Sequence, residues 1–254
     1  MKISIITVTY NCDSVLIDCL NSVASQSYNN IEHIIIDGNS KDNTLRIADS
    51  FPHVSKCISE TDEGIYDAMN KGLKMATGDI VGFLNSDDWF YNDKIVEDYV
   101  AAFTSYDIDA AYGDLCFIKK NSDAKILRKW TSSDYKKGMF LKGWVPPHPT
   151  FYCKNDIYKR YGNFDKKLSF AADFDIMCRF FSKDGFKTLY LPGIKVNMRL
   201  GGATTKSFKN IYLGNVEIFN SLHKNNLKPG INFFIWKVFN RISQLVNKKV
   251  VWKV

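Results

Sequence analysis

Short apolar runs rich in β-branched residues alternate with segments of helical spacing along the first 105 residues. Such runs are typical of buried strands, whereas apolar residues spaced three and four apart predict helices. Strands that alternate with helices form a mostly parallel sheet covered by helices on both faces, which makes the chain an α/β protein. The predicted strands are residues 3–10, 31–36, 54–58 and 79–84, and the predicted helices are residues 15–23, 41–51, 65–75 and 95–103.

Three of the predicted strands end in turns that contain aspartate. Parallel strands bring their carboxyl ends to one edge of the sheet, and α/β sheets bind their ligands at that edge. We therefore expect Asp37, Asp87 and Asp88 to lie near one pocket. The turns are residues 11–13, 37–39 and 85–88.

Residues 85–88, Asn-Ser-Asp-Asp, give the sharpest local signal. Adjacent carboxylates at a strand end repel one another when they are partly desolvated. Mg²⁺ or Mn²⁺ would relieve this repulsion, since both ions take oxygen ligands and share phosphate oxygens. Taken alone, the tetrapeptide is also typical of a solvated turn that caps the helix after Asp93. In the same way, Asp37 suits a tight turn and Ser40 suits a helix N-cap.

The pattern is less regular after residue 105. Asp173 lies in an apolar stretch, where a carboxylate is typical of either a helix N-cap or a general base. Arg179 follows six residues later and does not share its helical face by i,i+4 spacing. His148 lies between prolines, and a lone histidine is more often a structural hydrogen-bonding group than a catalyst. The predicted strands are residues 110–118, 126–130, 188–191 and 194–198, and the predicted helices are residues 173–181, 206–222 and 231–246.

The net charge of +7 comes entirely from the end of the chain. Residues 1–217 carry 27 basic and 27 acidic side chains, whereas residues 218–254 carry seven lysines and arginines and no carboxylate side chain. A balanced body argues against a nucleic-acid-binding protein, which usually presents a basic face. A cationic tail fits an anionic membrane surface instead.

The basic tail also has the pattern of an amphipathic helix. Apolar residues recur at helical spacing from Phe234 to Val246, and Trp236 and Trp252 flank the basic stretch. Such a helix either lies at a membrane interface or packs on the domain with a solvated basic face. No run of about 18 uncharged apolar residues occurs, so we predict no transmembrane helix.

Six scattered cysteines without a C-x-x-C pair, and the lack of a signal-peptide pattern, predict a protein of the reducing cytoplasm. Several catalytic motifs do not occur in the sequence. The motifs G-x-G-x-x-G, G-x-x-x-x-G-K-[ST], H-E-x-x-H and G-x-S-x-G are all missing, which argues against a dinucleotide-binding enzyme, a P-loop NTPase, a zinc protease and an α/β-hydrolase. A nucleotidyltransferase would usually carry a glycine-rich, basic phosphate loop after the first strand, and none follows Tyr10.

Taken in order, these segments resemble the family 2 glycosyltransferases with the GT-A fold, especially the branch of colanic-acid, capsule and O-antigen biosynthesis. The resemblance covers roughly residues 1–205, and the ordered combination is far more specific than any single motif. It implies a Rossmann-like nucleotide-diphospho-sugar transferase. The segments that carry it are residues 5–11, 22–28, 32–44 (EHIIIDGNSKDNT), 59–72 (SETDEGIYDAMNKG), 78–89 (GDIVGFLNSDDW), 147–151 (PHPTF) and 172–179.

The resemblance also implies roles for individual residues. Asp173 would be the catalytic base that takes the proton of the acceptor hydroxyl as it attacks the anomeric carbon, in a single displacement with inversion. Asp87 and Asp88 would hold Mn²⁺ or Mg²⁺, and His148 and Arg179 would face the acceptor or the phosphates. The nucleotide-sugar side would be formed by Thr9, Tyr10, Asn11, Asp37 (at the base), Asp62, the segment 64–67 with Asp67, Asn85, Ser86 and Arg199.

Two positions depart from the family pattern. Asn85 stands where the D-x-D motif has its first aspartate, which weakens the charge available to a metal or a ribose there. Ala172 stands where a glutamate usually precedes the base. Both substitutions occur in the branch that the chain resembles.

The sequence thus predicts one α/β domain with a helical extension. Residues 1–105 would bind the nucleotide sugar, residues 106–205 would bind the acceptor and carry the base, and residues 206–254 would form the basic amphipathic extension. We predict a UDP-sugar as donor, a GDP-sugar as runner-up, and a glycan or lipid-linked acceptor at the inner face of the cytoplasmic membrane. The alternative is a non-catalytic member that binds nucleotide sugar or scaffolds a polysaccharide-assembly complex.

Overall fold

The first strand, β1 (Ile3–Thr9), is buried along its whole length and lies inside one sheet. It pairs in parallel with β2 (Ile31–Asp37) on one side and with β4 (Ile80–Phe83) on the other. β2 pairs in turn with β3 (Val54–Ser59), again in parallel. The carboxyl ends of these four strands therefore share one edge, as the sequence predicts.

The structure, a computed structural model, describes residues 1–119, 126–201, 207–230 and 233–238. Residues 233–238 are helical, so most of the predicted helix 231–246 lies outside the described residues. The other strands are β5 (Trp89–Phe90), β6 (Ala110–Ile118), β7 (Ile126–Trp130), β8 (Tyr152–Lys154) and β9 (Thr188–Arg199). The α-helices are α1 (Leu16–Ala24), α2 (Thr44–Asp49), α3 (Ile65–Met75), α4 (Ile95–Ser105), α5 (Asn155–Tyr161), α6 (Ala172–Phe181) and α7 (Phe208–Lys224), and two 3₁₀ turns cover Met139–Lys142 and His148–Thr150.

The sheet continues from β4 through strands of both directions. β8 is antiparallel to both β4 and β6, and β6 runs parallel to β9. β5 pairs antiparallel with β9, and β7 pairs antiparallel with β6. The strand order is β3-β2-β1-β4-β8-β6-β9-β5, and six of the nine strands in the described part of the chain run in one direction. The predicted α/β architecture with a mostly parallel sheet is confirmed.

Helices cover both faces of the sheet because the strand residues alternate between two cores. Ile6 points to a core that α3 and α6 complete with Met69 and Phe180. Ile5 points to the opposite core, which α1 and α4 complete with residues such as Leu20. The sheet is therefore held between two apolar layers.

Glu32 joins four segments at the opposite, amino edge of the sheet. Its buried carboxylate accepts hydrogen bonds from Ser4 Oγ (2.6 Å) and from the backbone N–H and hydroxyl of Thr77 (both 2.8 Å), and it pairs with Lys2 and Lys56. Burial alone would raise the pKa of Glu32, but these donors lower it below its ordinary value. The contacts tie β1, β2, β3 and the loop before β4 together.

The helix predicted for residues 41–51 is shorter in the structure, where it begins at Thr44 with Asn43 as its N-cap. Ser40 does not cap it. The Ser40 hydroxyl instead donates to Asp37 Oδ1 (2.5 Å), so residues 40–43 belong to the turn.

Other differences concern short or interrupted elements. The two strands predicted at residues 188–191 and 194–198 form the single strand β9, because β6 holds both parts in register across a bulge. The sequence pattern does not predict β5, β8 or α5. The strands β5 and β8 have only two and three residues, which are too few to show an alternation of apolar and polar side chains.

The buried His33 of β2 contacts the half-buried His53 of the segment after α2. His33 Nδ1 lies 3.1 Å from His53 Nε2, and His33 Nε2 lies 3.0 Å from Thr7 Oγ1. Burial, with the neighbouring His53, lowers the pKa of His33 to about 3. His33 is therefore neutral in the folded protein throughout the physiological pH range.

We predict that the stability of the fold decreases as the pH falls below about 6.5. In this range His33 becomes protonated in the unfolded chain but stays neutral in the folded chain, so protons favour unfolding by up to about 1.4 kcal/mol per pH unit until about pH 3. Urea unfolding at several pH values measures this slope. His33→Gln should flatten the slope, and the exposed His223→Gln should leave it unchanged. An unaltered slope in His33→Gln would contradict the prediction.

Candidate functional site

Asp37, at the carboxyl end of β2, is fully buried and organises the turn that follows it. Its carboxylate accepts hydrogen bonds from Thr9 Oγ1 (2.9 Å), Ser59 Oγ (2.7 Å) and both the N–H and hydroxyl of Ser40 (2.8 and 2.5 Å). Burial alone would raise the pKa of Asp37, but these four donors lower it overall. Both oxygens thus have protein partners, and the contact with a nucleobase stays a prediction.

Asn11 braces the same turn from the end of β1. Its backbone is left-handed (φ 46°), its N–H donates to Ser40 Oγ (2.8 Å), and its side-chain oxygen accepts from the N–H of Lys41 (2.8 Å). Tyr10 beside it is 65 % exposed. Asn11 therefore shapes the edge of the sheet while Tyr10 presents its ring to solvent.

Asp62 approaches this edge from the segment before α3. Its Oδ1 accepts from the N–H of Gly64 (2.9 Å), and its Oδ2 lies against Gly38. A Cβ atom at Gly38 would lie 2.6 Å from Asp62 Oδ2 and 3.3 Å from the Tyr10 ring, so any larger residue would displace the Asp62 carboxylate. Thr9, Tyr10, Asn11, Asp37 and Asp62 therefore lie together at this edge, and their contact with a nucleotide sugar stays a prediction.

Asp67 lies in the first turn of α3. It pairs with Lys166 (3.0 Å) and Lys71 (3.6 Å), and it accepts from the N–H of Glu63 (3.2 Å). Its contact with a donor stays a prediction, because the structure places its carboxylate between two lysines.

The turn of residues 85–88 contains buried polar atoms that lack partners within the described residues. Asp88 is fully buried, and its Oδ2 accepts from Asn85 Nδ2 (3.1 Å). Asp88 Oδ1 and Asn85 Oδ1 have no hydrogen-bond partner in the described part of the chain. Burial first, and the neighbouring Asp87 carboxylate second, raise the pKa of Asp88 well above its ordinary value.

These two orphaned oxygens next to Asp87 fit a hard cation, which takes oxygen ligands. No group of three or more His, Cys, Asp or Glu side chains suited to a metal occurs among the described residues, so a cation here would need further ligands from its substrate or from water. The turn does not cap the following helix, because β5 intervenes and α4 begins at Ile95.

Arg199, at the end of β9, lies beside this turn. Its guanidinium pairs with Asp18 of α1 and stacks over the Trp89 ring (4.8 Å). The sequence pattern gives no signal for either contact, since Asp18 and Arg199 are 181 residues apart in the chain. The side chain is thus held at the carboxyl edge next to Asp88.

Asp173 lies in the first turn of α6, and the N-cap is Ala171, so the N-cap alternative for Asp173 is wrong. The Asp173 carboxylate is partly exposed and meets two other side chains. Its Oδ2 lies 3.3 Å from His148 Nδ1, and its Oδ1 accepts from the Tyr66 hydroxyl at 3.4 Å. Tyr66 belongs to a segment predicted to contact the donor, and only the tertiary structure brings it to Asp173.

His148 lies against Asp173 and is also affected by the charge of Asp87. Burial lowers the pKa of His148, although the carboxylates of Asp173 and then Asp87 act in the opposite direction. His148 is therefore neutral near pH 7 and can donate one ring N–H. A neutral donor orients a carboxylate without neutralising it.

Arg179 lies at the other end of α6. It donates to the carbonyl oxygens of Tyr161 (2.6 Å) and Asn163 (2.8 Å), and it pairs with the buried Asp175 (3.3 Å). These contacts fasten α5 to α6. The acceptor or phosphate contact of Arg179 stays a prediction.

Residues 4–161 match the family model described as Glycosyl transferase family 2. The chain belongs to this family and is a glycosyltransferase. A PGL/p-HBAD biosynthesis glycosyltransferase of Mycobacterium bovis is 30 % identical to it over 194 residues, which cover 74 % of this chain and 73 % of that protein. Glycosyltransferase GlyA of Streptococcus pneumoniae is 34 % identical over 116 residues, which cover 44 % of this chain and 16 % of that protein.

Solved structures share the fold of this glycosyltransferase. S. aureus TarS 1-349 in complex with UDP-GlcNAc superposes with a TM-score of 0.71 at 18 % identity, covering 97 % of this chain and 72 % of that one. The mannosyltransferase PcManGT from Pyrobaculum calidifontis, in complex with GDP-Man and Mn²⁺, gives 0.65 at 17 % identity, covering 96 % and 70 %. The chain spans 44 % of the longer TarS chain. The predicted GT-A fold is confirmed.

Proposed function

We propose that the chain is an inverting glycosyltransferase in which Asp173 is the catalytic base. The placement of the Asp173 carboxylate between His148 and Tyr66 carries this proposal. One carboxylate oxygen of Asp173 faces His148 and the other faces Tyr66. These contacts orient the carboxylate to accept the proton of an acceptor hydroxyl as that hydroxyl attacks the sugar. The partial exposure of Asp173 leaves room for that hydroxyl.

The metal site that we propose lies in the turn of residues 85–88. Asp87 and Asp88 would hold Mg²⁺ or Mn²⁺, and the unpartnered oxygens of Asp88 and Asn85 support this assignment. When bound, the cation would neutralise the negative charge that develops on the leaving diphosphate. Its remaining coordination positions would be filled by phosphate oxygens.

The donor pocket that we propose lies at the carboxyl edge of β1 and β2. Thr9 and Asn11 shape its floor, the exposed Tyr10 ring offers a face to a base, and Asp62 lies beside it. Asp67, Ser86 and Arg199 would contribute from the flanking turns. A UDP-sugar is the first candidate and a GDP-sugar the second, since solved structures of the same fold hold UDP-GlcNAc and GDP-Man.

We predict that the protein releases a nucleoside diphosphate from one class of nucleotide sugar. The test is to incubate the protein with UDP-sugars or GDP-sugars, in the presence of Mn²⁺ or Mg²⁺ and of lipid-linked or free glycan acceptors. A coupled assay then measures the UDP or GDP that is released. NMR of the product should show that the anomeric configuration of the transferred sugar is inverted. Retention of configuration would contradict the role of Asp173 as a base, because single displacement inverts the centre.

The acceptor that we propose is a lipid-linked glycan of bacterial surface polysaccharide biosynthesis, in the capsule or O-antigen branch, and the exposed apolar side chains of residues 235–238 support it. None of the helices in the described ranges is both long and apolar enough to cross a bilayer. The helical residues 233–238 contact α7 through the stacked rings of Phe234 and Phe219 and the Lys237–Asn215 hydrogen bond. They nevertheless expose Ile235 (66 %), Trp236 (44 %) and Val238 (59 %). The sequence after residue 238 adds four basic residues and no carboxylate side chain, a composition suited to the anionic inner face of the cytoplasmic membrane.

We predict that the full chain co-sediments with vesicles that contain phosphatidylglycerol and binds phosphatidylcholine vesicles less well. Ile235→Asp should weaken binding by about tenfold to a hundredfold, because burial of one such side chain contributes roughly 1.5–3 kcal/mol. Tyr106→Asp replaces an equally exposed side chain at the end of α4 and should leave binding unchanged. Equal binding of both variants would contradict membrane contact through residues 233–238.

A further inference from the structure

Glu217 of α7 is bound to the segment that leads into α6. Its carboxylate accepts three backbone hydrogen bonds, from the N–H groups of Ser169 (2.9 Å), Phe170 (2.8 Å) and Ala171 (2.9 Å). Three consecutive amides that converge on one carboxylate form an anion-binding arrangement. Here the anion is the side chain of Glu217 itself, which lies 46 to 48 positions after the three amides in the chain.

The three amides directly precede a helix that lacks a local cap. The N-cap of α6 is Ala171, and no side chain of the cap residue accepts a hydrogen bond there. The first N–H groups of a helix need acceptors, and negative charge near them is favourable. Glu217 accepts from the three amides just before these groups, so it places a negative charge near the start of α6 and fixes the backbone that enters the helix.

Asp173 follows Ala171 by two residues, so the position of its carboxylate depends on where α6 begins. Ala171 and Ala172 are buried, which leaves the entry to the helix little freedom. The Asp173 oxygens contact His148 and Tyr66 at 3.3 and 3.4 Å, distances that a small shift of the helix end would lengthen beyond contact. A catalytic group displaced by about 1 Å can lose about a hundredfold in rate.

We propose that Glu217 is a positioning residue that aligns Asp173 for proton transfer by holding residues 169–171. This inference rests on the proposed role of Asp173 as the base. Glu217 does not need to touch the substrate, because it acts through the backbone that carries Asp173. Its loss should lower kcat and leave the KM for the nucleotide sugar unchanged, since the donor pocket lies at the ends of β1 and β2.

The test compares Glu217→Ala and Glu217→Gln with Asn220→Ala, which changes an exposed residue on the same helix. Glutamine keeps one oxygen acceptor, whereas alanine keeps none. We expect kcat to fall about tenfold to a hundredfold in Glu217→Ala, to recover in part in Glu217→Gln, and to stay unchanged in Asn220→Ala. Hydrogen exchange of the 169–171 amides should accelerate in the same order, while melting temperature and donor KM stay near wild type.

Two outcomes would overturn this role. One is faster exchange at residues 169–171 with an unchanged kcat, which would show that the contact is structural only. The other is a fall in kcat matched by an equal loss of folded protein. Absence of transfer by the wild-type chain with every donor would overturn the proposed function itself, and the exchange data would still report whether Glu217 holds the segment.

Discussion

Asp173→Asn should reduce kcat by about 10²- to 10⁴-fold and leave the affinity for the nucleotide sugar within about twofold of wild type. General-base catalysis contributes this range, and an amide cannot accept the proton of an attacking hydroxyl. Asparagine has nearly the same shape as aspartate and can still accept a hydrogen bond from Tyr66. The change therefore removes the chemistry while it preserves most of the packing around α6.

Initial rates and isothermal titration with the donor measure the two effects separately. Asp156→Asn is a matched control, because Asp156 is an exposed carboxylate in the first turn of α5 and should not affect transfer. Activity of Asp173→Asn within tenfold of wild type would rule out Asp173 as the base. An unchanged cellular glycan would favour the alternative of a scaffold that binds nucleotide sugar without transferring it.

Asp87→Ala should abolish the metal-dependent stabilisation of the protein by its nucleotide. A nucleotide at about 100 times its dissociation constant stabilises the fold by about 2.7 kcal/mol, which a thermal-shift assay detects as a clear rise in melting temperature. UDP, GDP and other nucleotides are tested with and without Mn²⁺. We expect one nucleotide to raise the melting temperature of the wild type only when Mn²⁺ is present.

Asp93→Ala serves as the control for this variant, because it removes an exposed carboxylate just after β5. It should keep the full Mn²⁺-dependent shift. If Asp87→Ala also kept that shift, the cation would be held elsewhere and the assignment of the 85–88 turn would be wrong. A shift of equal size without Mn²⁺ would argue against a metal-dependent donor site.

The sequence predicts the first four strands and the turns at their ends because each turn signal lies within a few residues of its strand. β-branched runs mark β1, β2 and β4, and Asp37, Asp87 and Asp88 follow from the rule for parallel sheets. These features depend on local spacing alone. The family resemblance then adds Asp173 and His148, whose chemistry a local pattern leaves ambiguous.

Features that depend on distant pairing could not be predicted from the sequence. β5 has two residues and exists because Asn197 and Val196 of β9 lie opposite them. The Arg199–Asp18 pair and the contacts of Glu217 with residues 169–171 join segments far apart in the chain, and an isolated arginine or glutamate gives no sign of its partner. The Tyr66–Asp173 contact has the same origin.

The antiparallel pairing of β8 with β4 has a consequence for how the chain can be divided. β4 is buried at each of its four residues, and β8 reaches it only from residue 152 onward. A fragment that ended at residue 105 would leave a flat apolar strand with an unpaired edge, which is a template for aggregation. Residues 1–105 therefore depend on the later part of the chain to close that edge, and the two parts form one unit of assembly.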